Sequence, residues 1–293
     1  GVIADELVQR GLIDDATLFC NYVRYVGLDS QLEAGKFHLS ASMTIPEIAQ
    51  ALTEALSPDV TVQVIEGWRL EQIGEALDAT EELAFDGVEF VALVGPGAAR
   101  PAGFDFLESL LPGASLDGFL FPDTYRMAPD ATAADLCGRM LETFGARVTA
   151  QMRADATARR FTLYEVVTLA SIVEREAVIP DERALIASVY LNRLAAGMTL
   201  DADPTVQYAK GFDALTGQWW PPLSVADYTG VISPYNTYLN PGLPPGPIAN
   251  PSLASVEAVI YPANSDYLYF RACDASGRHR FSLTFEEHER AGD

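Results

Sequence analysis

Two glutamates close an unusually apolar segment, residues 163–177, and a carboxyl in such a setting could act as a general acid. Glu174 and Glu176 end this segment, in which Val, Leu, Ile and Ala predominate. The apolar residues recur on one helical face, which predicts a helix packed on most sides. Burial disfavours the charged form of a carboxyl and so raises its pKa. Proton transfer to a leaving oxygen near neutral pH is therefore the chemistry that these residues could perform.

The two glutamates cannot work as a facing pair. Positions two apart on a helix lie roughly 200° apart around its axis, so they do not form the acid and nucleophile of a retaining glycosidase. Glu174 falls within the apolar stripe and Glu176 lies nearer its polar edge, and periodicity does not choose between them. Each could also be a helix-end carboxylate paired with Arg175, Arg183 or Arg193.

Short helices and strands must position this segment, and their order predicts an α+β fold. The patterns predict helices over 2–11, 15–27, 44–52, 69–77, 131–158, 163–177 and 181–198, and strands over 32–39, 60–65 and 267–270. Thr44 and Glu47 form a capping box at the third helix. Residues 203–205 read as a turn, and Gly197 is expected to end the helix before them.

The net charge of the chain limits the classes of molecule that it is expected to bind. Nineteen basic and 41 acidic residues give a formal net charge of −22. Nucleic-acid binding is not expected, because it requires basic patches that neutralise phosphates. No stretch has the roughly 18 apolar residues of a membrane span. The chain begins inside an amphipathic helix pattern, which is typical of a protein trimmed of an N-terminal segment or processed at a Met-Gly start.

Metal and thiol chemistry find no support in the spacing of cysteines and histidines. The cysteines, which occur in apolar neighbourhoods, are Cys20, Cys137 and Cys273. They form no CxxC pair, so buried thiols are expected. The histidines are His38, His279 and His288. They form no close pair, so no metal site is predicted, and His279 is expected to be a satisfied surface histidine.

Several motifs around the glutamates follow one another in a fixed order. They read SIVEREA at 171–177, SVYLNRLAAGM at 188–198, ADPTVQYA at 202–209, SPYNTY at 233–238 and GLPPGPIANP at 242–251, with VIEGW at 64–68 and GFLFPDTY at 118–125 before them. This set is similar to the MltG/YceG-like endolytic murein transglycosylases, and the resemblance covers nearly the whole chain.

The resemblance implies both a fold and an activity. The expected fold is α+β, with a LysM-like N-terminal region at 1–126 and a mainly helical, lysozyme-like catalytic domain at 127–293. The expected activity is that of a lyase, which cleaves MurNAc–GlcNAc bonds in nascent glycan strands and leaves 1,6-anhydro-MurNAc ends. It needs no cofactor and could end strand elongation. By this resemblance Glu176 is the catalytic residue, and Glu174 is a supporting or alternative acid.

The resemblance also implies a setting for the protein. The expected partners are peptidoglycan glycan strands and peptidoglycan synthases of the penicillin-binding class. An N-terminal anchor in the cytoplasmic membrane is expected to precede this chain and to hold a monomeric catalytic domain outside the cell or in the periplasm.

Aromatic and amide side chains suit sugar binding, since rings stack on pyranose faces and amides hydrogen-bond to hydroxyl and N-acetyl groups. The candidates for substrate binding are Asn192, Gln207, Tyr235, Asn236, Thr237 and Tyr238. Residues 241–251, rich in proline and glycine, are expected to form a stiff wall.

Two other functions stay open at this point. A lysozyme-type hydrolase would require a second carboxylate or a positioned water opposite Glu176, and Asp201 and Asp203 are the nearby acids. A non-catalytic protein could bind glycans through a LysM-like part alone.

Overall fold

The computed structural model describes residues 1–33, 35, 37–53, 59–272 and 277–290. The chain forms two compact units, Gly1–Asp59 and Val60–Asp293. Within the described ranges, no helix is both long enough and apolar enough to cross a membrane. Cys273 lies outside the described residues.

Unit 1 consists of short helices around a small apolar core. Its helices are α1 (Val2–Gln9), α2 (Ala16–Val26) and α3 (Ile45–Ala51). The carboxylate of Asp15 accepts hydrogen bonds from two backbone amides at the start of α2, and Gly27 ends that helix with φ of 76°. Thr44 and Glu47 form the predicted capping box of α3.

The predicted strand at 32–39 is wrong for the residues that the structure describes there, because none of them lies in a strand. The backbone amide of Glu33 instead donates to the carbonyl of Leu52, just beyond α3. An extended segment requires a neighbouring strand to satisfy its backbone groups, and local alternation of side chains does not provide one.

Unit 2 carries all the chemistry-bearing motifs. Its strands are β1 (Val60–Gln63), β2 (Thr124–Met127), β3 (Tyr269–Ala272) and β4 (His279–Ser282). Its helices are α4 (Leu70–Asp78), α5 (Gly87–Val94), α6 (Ala133–Arg147), α7 (Ala150–Ala158), α8 (Leu163–Glu176), α9 (Arg183–Ala195), α10 (Asp203–Lys210), α11 (Asp227–Gly230), α12 (Leu253–Ile260) and α13 (Phe285–Arg290). Single 3₁₀ turns lie at Asp105–Ser109 and Pro180–Glu182.

Two antiparallel strand pairs tie distant segments together. β1 pairs with β2, with Val60 opposite Met127, and β3 pairs with β4, with Tyr269 opposite Ser282. The predicted domain boundary between residues 126 and 127 falls inside β2. Because β2 is hydrogen-bonded to β1, the compact unit that holds the apolar segment begins earlier, at Val60.

Two helix predictions differ from the structure. The helix predicted over 131–158 is two helices, because Val148 leaves the helical region with ψ of 82° and the side chain of Thr149 caps α7. Residues 203–205 form the first turn of α10 and not an isolated turn. Pro204 suits this place, since proline at the start of a helix loses no backbone hydrogen bond.

α8 lies at the centre of the core of unit 2. Thr162 and Glu165 form its N-terminal capping box, and every residue from Leu163 to Val173 except Glu165 is buried. It packs against α7, α9, α10 and α12. The hydroxyl of Ser171 accepts a hydrogen bond from the backbone amide of Ile248 over 3.0 Å. The segment 242–251 is thereby fixed against the helix that carries both glutamates.

Candidate active site

Glu176, the last residue of α8, is partly exposed and has one fixed hydrogen-bond donor. The hydroxyl of Tyr190 donates to its Oε1 atom over 2.7 Å. Burial, together with a smaller contribution from the negative charge of Asp203, raises the pKa of Glu176 to about 7. The Tyr190 hydrogen bond and the positive charge of Arg175 act in the opposite direction. A carboxyl with this pKa populates both its acid and its base form near neutral pH.

Tyr190 lies on the neighbouring helix, α9, and is 1% exposed. Its ring meets that of Phe270 edge to face at 5.6 Å between centroids. Burial raises the pKa of Tyr190 well above its ordinary value of 10.0. The phenol therefore stays neutral, and its hydroxyl donates a hydrogen bond to Glu176 Oε1.

Glu174 has a different environment, with a side chain only 7% exposed. Its Oε2 atom accepts hydrogen bonds from the backbone amide of Ser252 over 3.0 Å and from the hydroxyl of Ser255 over 2.6 Å. The Ser252 hydroxyl also donates to it, and Arg183 Nη2 lies 3.7 Å from Oε1. These contacts join the end of α8 to the start of α12, so the carboxylate is occupied by the protein itself.

Two aspartates lie near the motif block, and both are engaged. Asp201 forms an ion pair with Arg193, with 3.0 Å between Oδ2 and Nη1. Asp203 accepts hydrogen bonds from the hydroxyls of Tyr238, over 2.6 Å, and Tyr228, over 3.4 Å. Asp203 is close enough to Glu176 to raise its pKa. The structure thus brings Asp203 and Tyr238 into the surroundings of Glu176.

The other predicted substrate-binding residues divide into two groups. Tyr235 is half-buried, with its ring 4.8 Å from that of Tyr208, and Gln207 donates to the carbonyl of Pro221 over 2.9 Å. Both retain exposed surface.

Asn192, Asn236 and Thr237 are used internally in this structure. Asn192 Nδ2 donates to two carbonyls of the segment before β3. Asn236 is 0% exposed and donates to the carbonyls of Tyr228 and Val231. Thr237 is 1% exposed and its hydroxyl is hydrogen-bonded to that of Thr205. These side chains shape the loops around the site.

Asn250 connects three of the motifs and was not singled out from the sequence. It is fully buried, and its Oδ1 accepts from the amides of Gly118 and Leu120 over 2.8 and 3.2 Å. Its Nδ2 donates to the carbonyl of Trp68 and to Asp117 Oδ1 over 3.1 and 2.8 Å. Segments 64–68, 118–125 and 242–251 therefore meet beside the end of α8.

His279 is paired, with its Nδ1 atom 2.8 Å from Oε2 of Glu182. The side chains are 8% and 9% exposed, so this histidine is more buried than the surface position that was expected. Across the described part of the chain, no group of three or more His, Cys, Asp or Glu residues could hold a metal ion.

The chain belongs to the YceG-like family, whose family model matches residues 1–293. It is 32% identical to an endolytic murein transglycosylase of Bacillus subtilis, over 99% of this chain and 80% of that protein. It is 30% identical to the endolytic murein transglycosylase of Streptococcus pneumoniae D39, over 98% of this chain but 55% of that longer protein. Its fold is similar to the crystal structure of a YceG-like protein from Listeria monocytogenes, with a TM-score of 0.66, 30% identity and coverage of 98% of this chain and 93% of that one.

Proposed function

We propose that this protein is an endolytic murein transglycosylase and that Glu176 is its catalytic acid and base. The observation that carries the proposal is the environment of this carboxyl. It is partly exposed, it is oriented by one neutral phenol, and burial raises its pKa to about 7. Membership in a family whose relatives bear this name supports the substrate class.

One carboxyl is sufficient for this reaction. The protonated Glu176 donates its proton to the glycosidic oxygen between MurNAc and GlcNAc, and the bond from that oxygen to the anomeric carbon breaks. The resulting carboxylate then removes the proton of the MurNAc C6 hydroxyl, whose oxygen bonds to the anomeric carbon. The products are a free GlcNAc hydroxyl and a 1,6-anhydro-MurNAc end, with no water consumed and Glu176 protonated again.

The contrast between the two glutamates supports this assignment. Oε2 of Glu174 accepts three hydrogen bonds and its Oε1 lies beside Arg183, so the protein itself engages this carboxylate and we assign it a positioning role. Of the other predicted residues, Gln207, Tyr235 and Tyr238 are the candidates for direct sugar contact. Asn236 and Thr237 support the loop that carries Tyr235 and Tyr238, and Asn192 supports the segment before β3.

A lysozyme-type hydrolase is the competing function, because Asp203 lies near Glu176. Hydrolysis would require Asp203 to stabilise the sugar cation or to activate a water. Its carboxylate accepts hydrogen bonds from two tyrosines, which favours a role in tuning the pKa of Glu176. A purely glycan-binding role would leave the raised pKa of Glu176 without a use.

The remaining features follow from the resemblance and stay predictions. They are the LysM-like character of residues 1–126, the lysozyme-like character of residues 127–293, the N-terminal membrane anchor, the monomeric state and the association with peptidoglycan synthases. Because the proposed substrate is the cell wall, we place the catalytic part outside the cytoplasmic membrane.

The test is digestion of purified sacculi, with mass spectrometry of the released fragments. We expect anhydro-muramyl ends, each lighter by one water than a reducing end, from the parent protein and none from Glu176→Gln. The exposed Glu257 of α12 provides a matched control, and Glu257→Gln is expected to cleave normally. Reducing ends would establish the hydrolase, and normal turnover by Glu176→Gln would show that another residue is the acid.

A further inference from the structure

Adjacent tryptophans lie beside the candidate active site and have no part in the proposed chemistry. Trp219 and Trp220, together called the tryptophan pair, follow α10 in sequence and are half-buried. The guanidinium carbon of Arg69 lies 4.7 Å from the ring centroid of Trp219 and 5.9 Å from that of Trp220. The ring of Tyr208 lies on the same guanidinium, at 4.2 Å.

The rings of the tryptophan pair are held in place by α4. The indole N–H of Trp219 donates to Oε1 of Glu75 over 2.9 Å, and that of Trp220 donates to Oε1 of Gln72 over 3.0 Å. Arg69 is itself fixed, since Glu71 accepts two hydrogen bonds from its guanidinium over 2.6 and 2.9 Å. Rings immobilised in this way lose little conformational entropy when a ligand packs on them.

Arg175 connects the tryptophan pair to the candidate acid. It directly precedes Glu176 on α8, and its guanidinium carbon lies 4.2 Å from the ring centroid of Trp220. Its Nε atom is buried and has no hydrogen-bond partner among the described residues, so packing on Trp220 holds this side chain. The tryptophan pair therefore lies next to the C-terminal end of α8, which carries Glu176.

This aromatic cluster keeps part of its surface exposed. Phe212 is 48% exposed and lies 5.2 Å from the ring of Trp219, between centroids. The guanidinium groups of Arg69 and Arg175 each cover one face of an indole ring, and both indoles keep part of their surface exposed. Partly exposed, immobile aromatic rings next to polar groups suit the faces of pyranose rings.

We propose that Trp219 and Trp220 form a saccharide-binding subsite that holds a sugar unit of the glycan strand outside the pair of units at the cleaved bond. This inference rests on the proposed function, because the strand in the subsite is the strand that Glu176 cleaves. The subsite gives the enzyme a preference for strands long enough to occupy both places.

The test compares cleavage of purified glycan strands of defined length by the parent protein, Trp219→Ala and Trp219→Phe. For Trp219→Ala we expect roughly tenfold lower kcat/KM on long strands through a higher KM, and unchanged kinetics on the shortest strand that is cleaved. Trp219→Phe retains a ring but loses the N–H donor, so it is expected to keep most of the length preference. Tyr261→Ala, which removes a half-exposed ring elsewhere in unit 2, is expected to change neither.

Equal effects on short and long strands, or a Trp219→Phe variant as defective as Trp219→Ala, would overturn the subsite and leave packing as the role of Trp219. Binding of long strands to Glu176→Gln, with and without Trp219→Ala, separates the two proposals. Weaker binding in the double variant supports the subsite even where no anhydro ends form. Unchanged binding rejects the subsite while cleavage by the parent protein still supports the transglycosylase.

Discussion

The raised pKa of Glu176 has a consequence for stability that can be measured without any substrate. Burial raises this pKa from an ordinary 4.5 to about 7, so the folded protein binds the proton more tightly than the unfolded chain does. Stability contributed by the protonated carboxyl is present below pH 4.5 and is lost as the pH rises through 7. Glu176→Gln retains an acceptor for Tyr190 and carries no charge, so it removes this loss.

The size of the effect follows from the shift. The difference between 7 and 4.5 is 2.5 pKa units, and at about 1.4 kcal/mol per unit it corresponds to roughly 3 kcal/mol. At pH 8 ionisation of Glu176 destabilises the folded parent protein by nearly all of this free energy. At pH 5 the destabilisation is under about 1 kcal/mol. The stability of Glu176→Gln relative to the parent is therefore expected to increase by about 2 to 3 kcal/mol between pH 5 and pH 8.

Urea unfolding at the two pH values, followed by tryptophan fluorescence, provides the assay. All three tryptophans, Trp68, Trp219 and Trp220, belong to unit 2, so the signal reports the unit that contains Glu176. Other titrating groups cancel in the comparison between variant and parent. Glu174→Gln is the matched control, and we expect it to be less stable than the parent at both pH values, because it weakens the hydrogen bonds from Ser252 and Ser255.

A stability difference between Glu176→Gln and the parent that stays constant from pH 5 to pH 8 would refute the reasoning. The carboxyl would then have an ordinary pKa in the folded protein and would be ionised at neutral pH. Such a group could not donate a proton to a glycosidic oxygen, and the mechanism proposed here would fail with it.

Three further substitutions test the surroundings of this carboxyl. Tyr190→Phe removes a hydrogen bond to the carboxylate, so the pKa of the acid and the alkaline limb of the kcat/KM profile should move up by about one to two pH units. Asn250→Ala leaves buried backbone amides without an acceptor, and urea unfolding should show a loss of about 3 kcal/mol or more. Gly67→Ala places a Cβ 3.3 Å from Nη1 of Arg175 at φ of 77°, and it should lower the stability by more than about 1 kcal/mol in thermal unfolding. Gly97→Ala is the control, because Gly97 has φ of 82° but lies in open space, and its loss of stability should be smaller.

The sequence alone predicts local structure in this protein wherever a few neighbouring residues determine it. The caps at Asp15, Thr44 and Thr162 and the glycine at the end of α2 satisfy backbone groups within four residues of themselves, so short-range rules predict them. The apolar periodicity of residues 163–177 predicted α8 for the same reason. The ordered motifs also established the family, which the match over residues 1–293 confirms.

Pairings between distant segments were decided only by the tertiary structure. β1 and β2 are about sixty residues apart in sequence, and their pairing places both in the compact unit that begins at Val60. Nothing in the periodicity of α8 separates Glu174 from Glu176. The serines of α12 occupy one carboxylate and the phenol of Tyr190 orients the other. Helical spacing describes a single helix, whereas the environment of a carboxyl depends on which other elements pack against it.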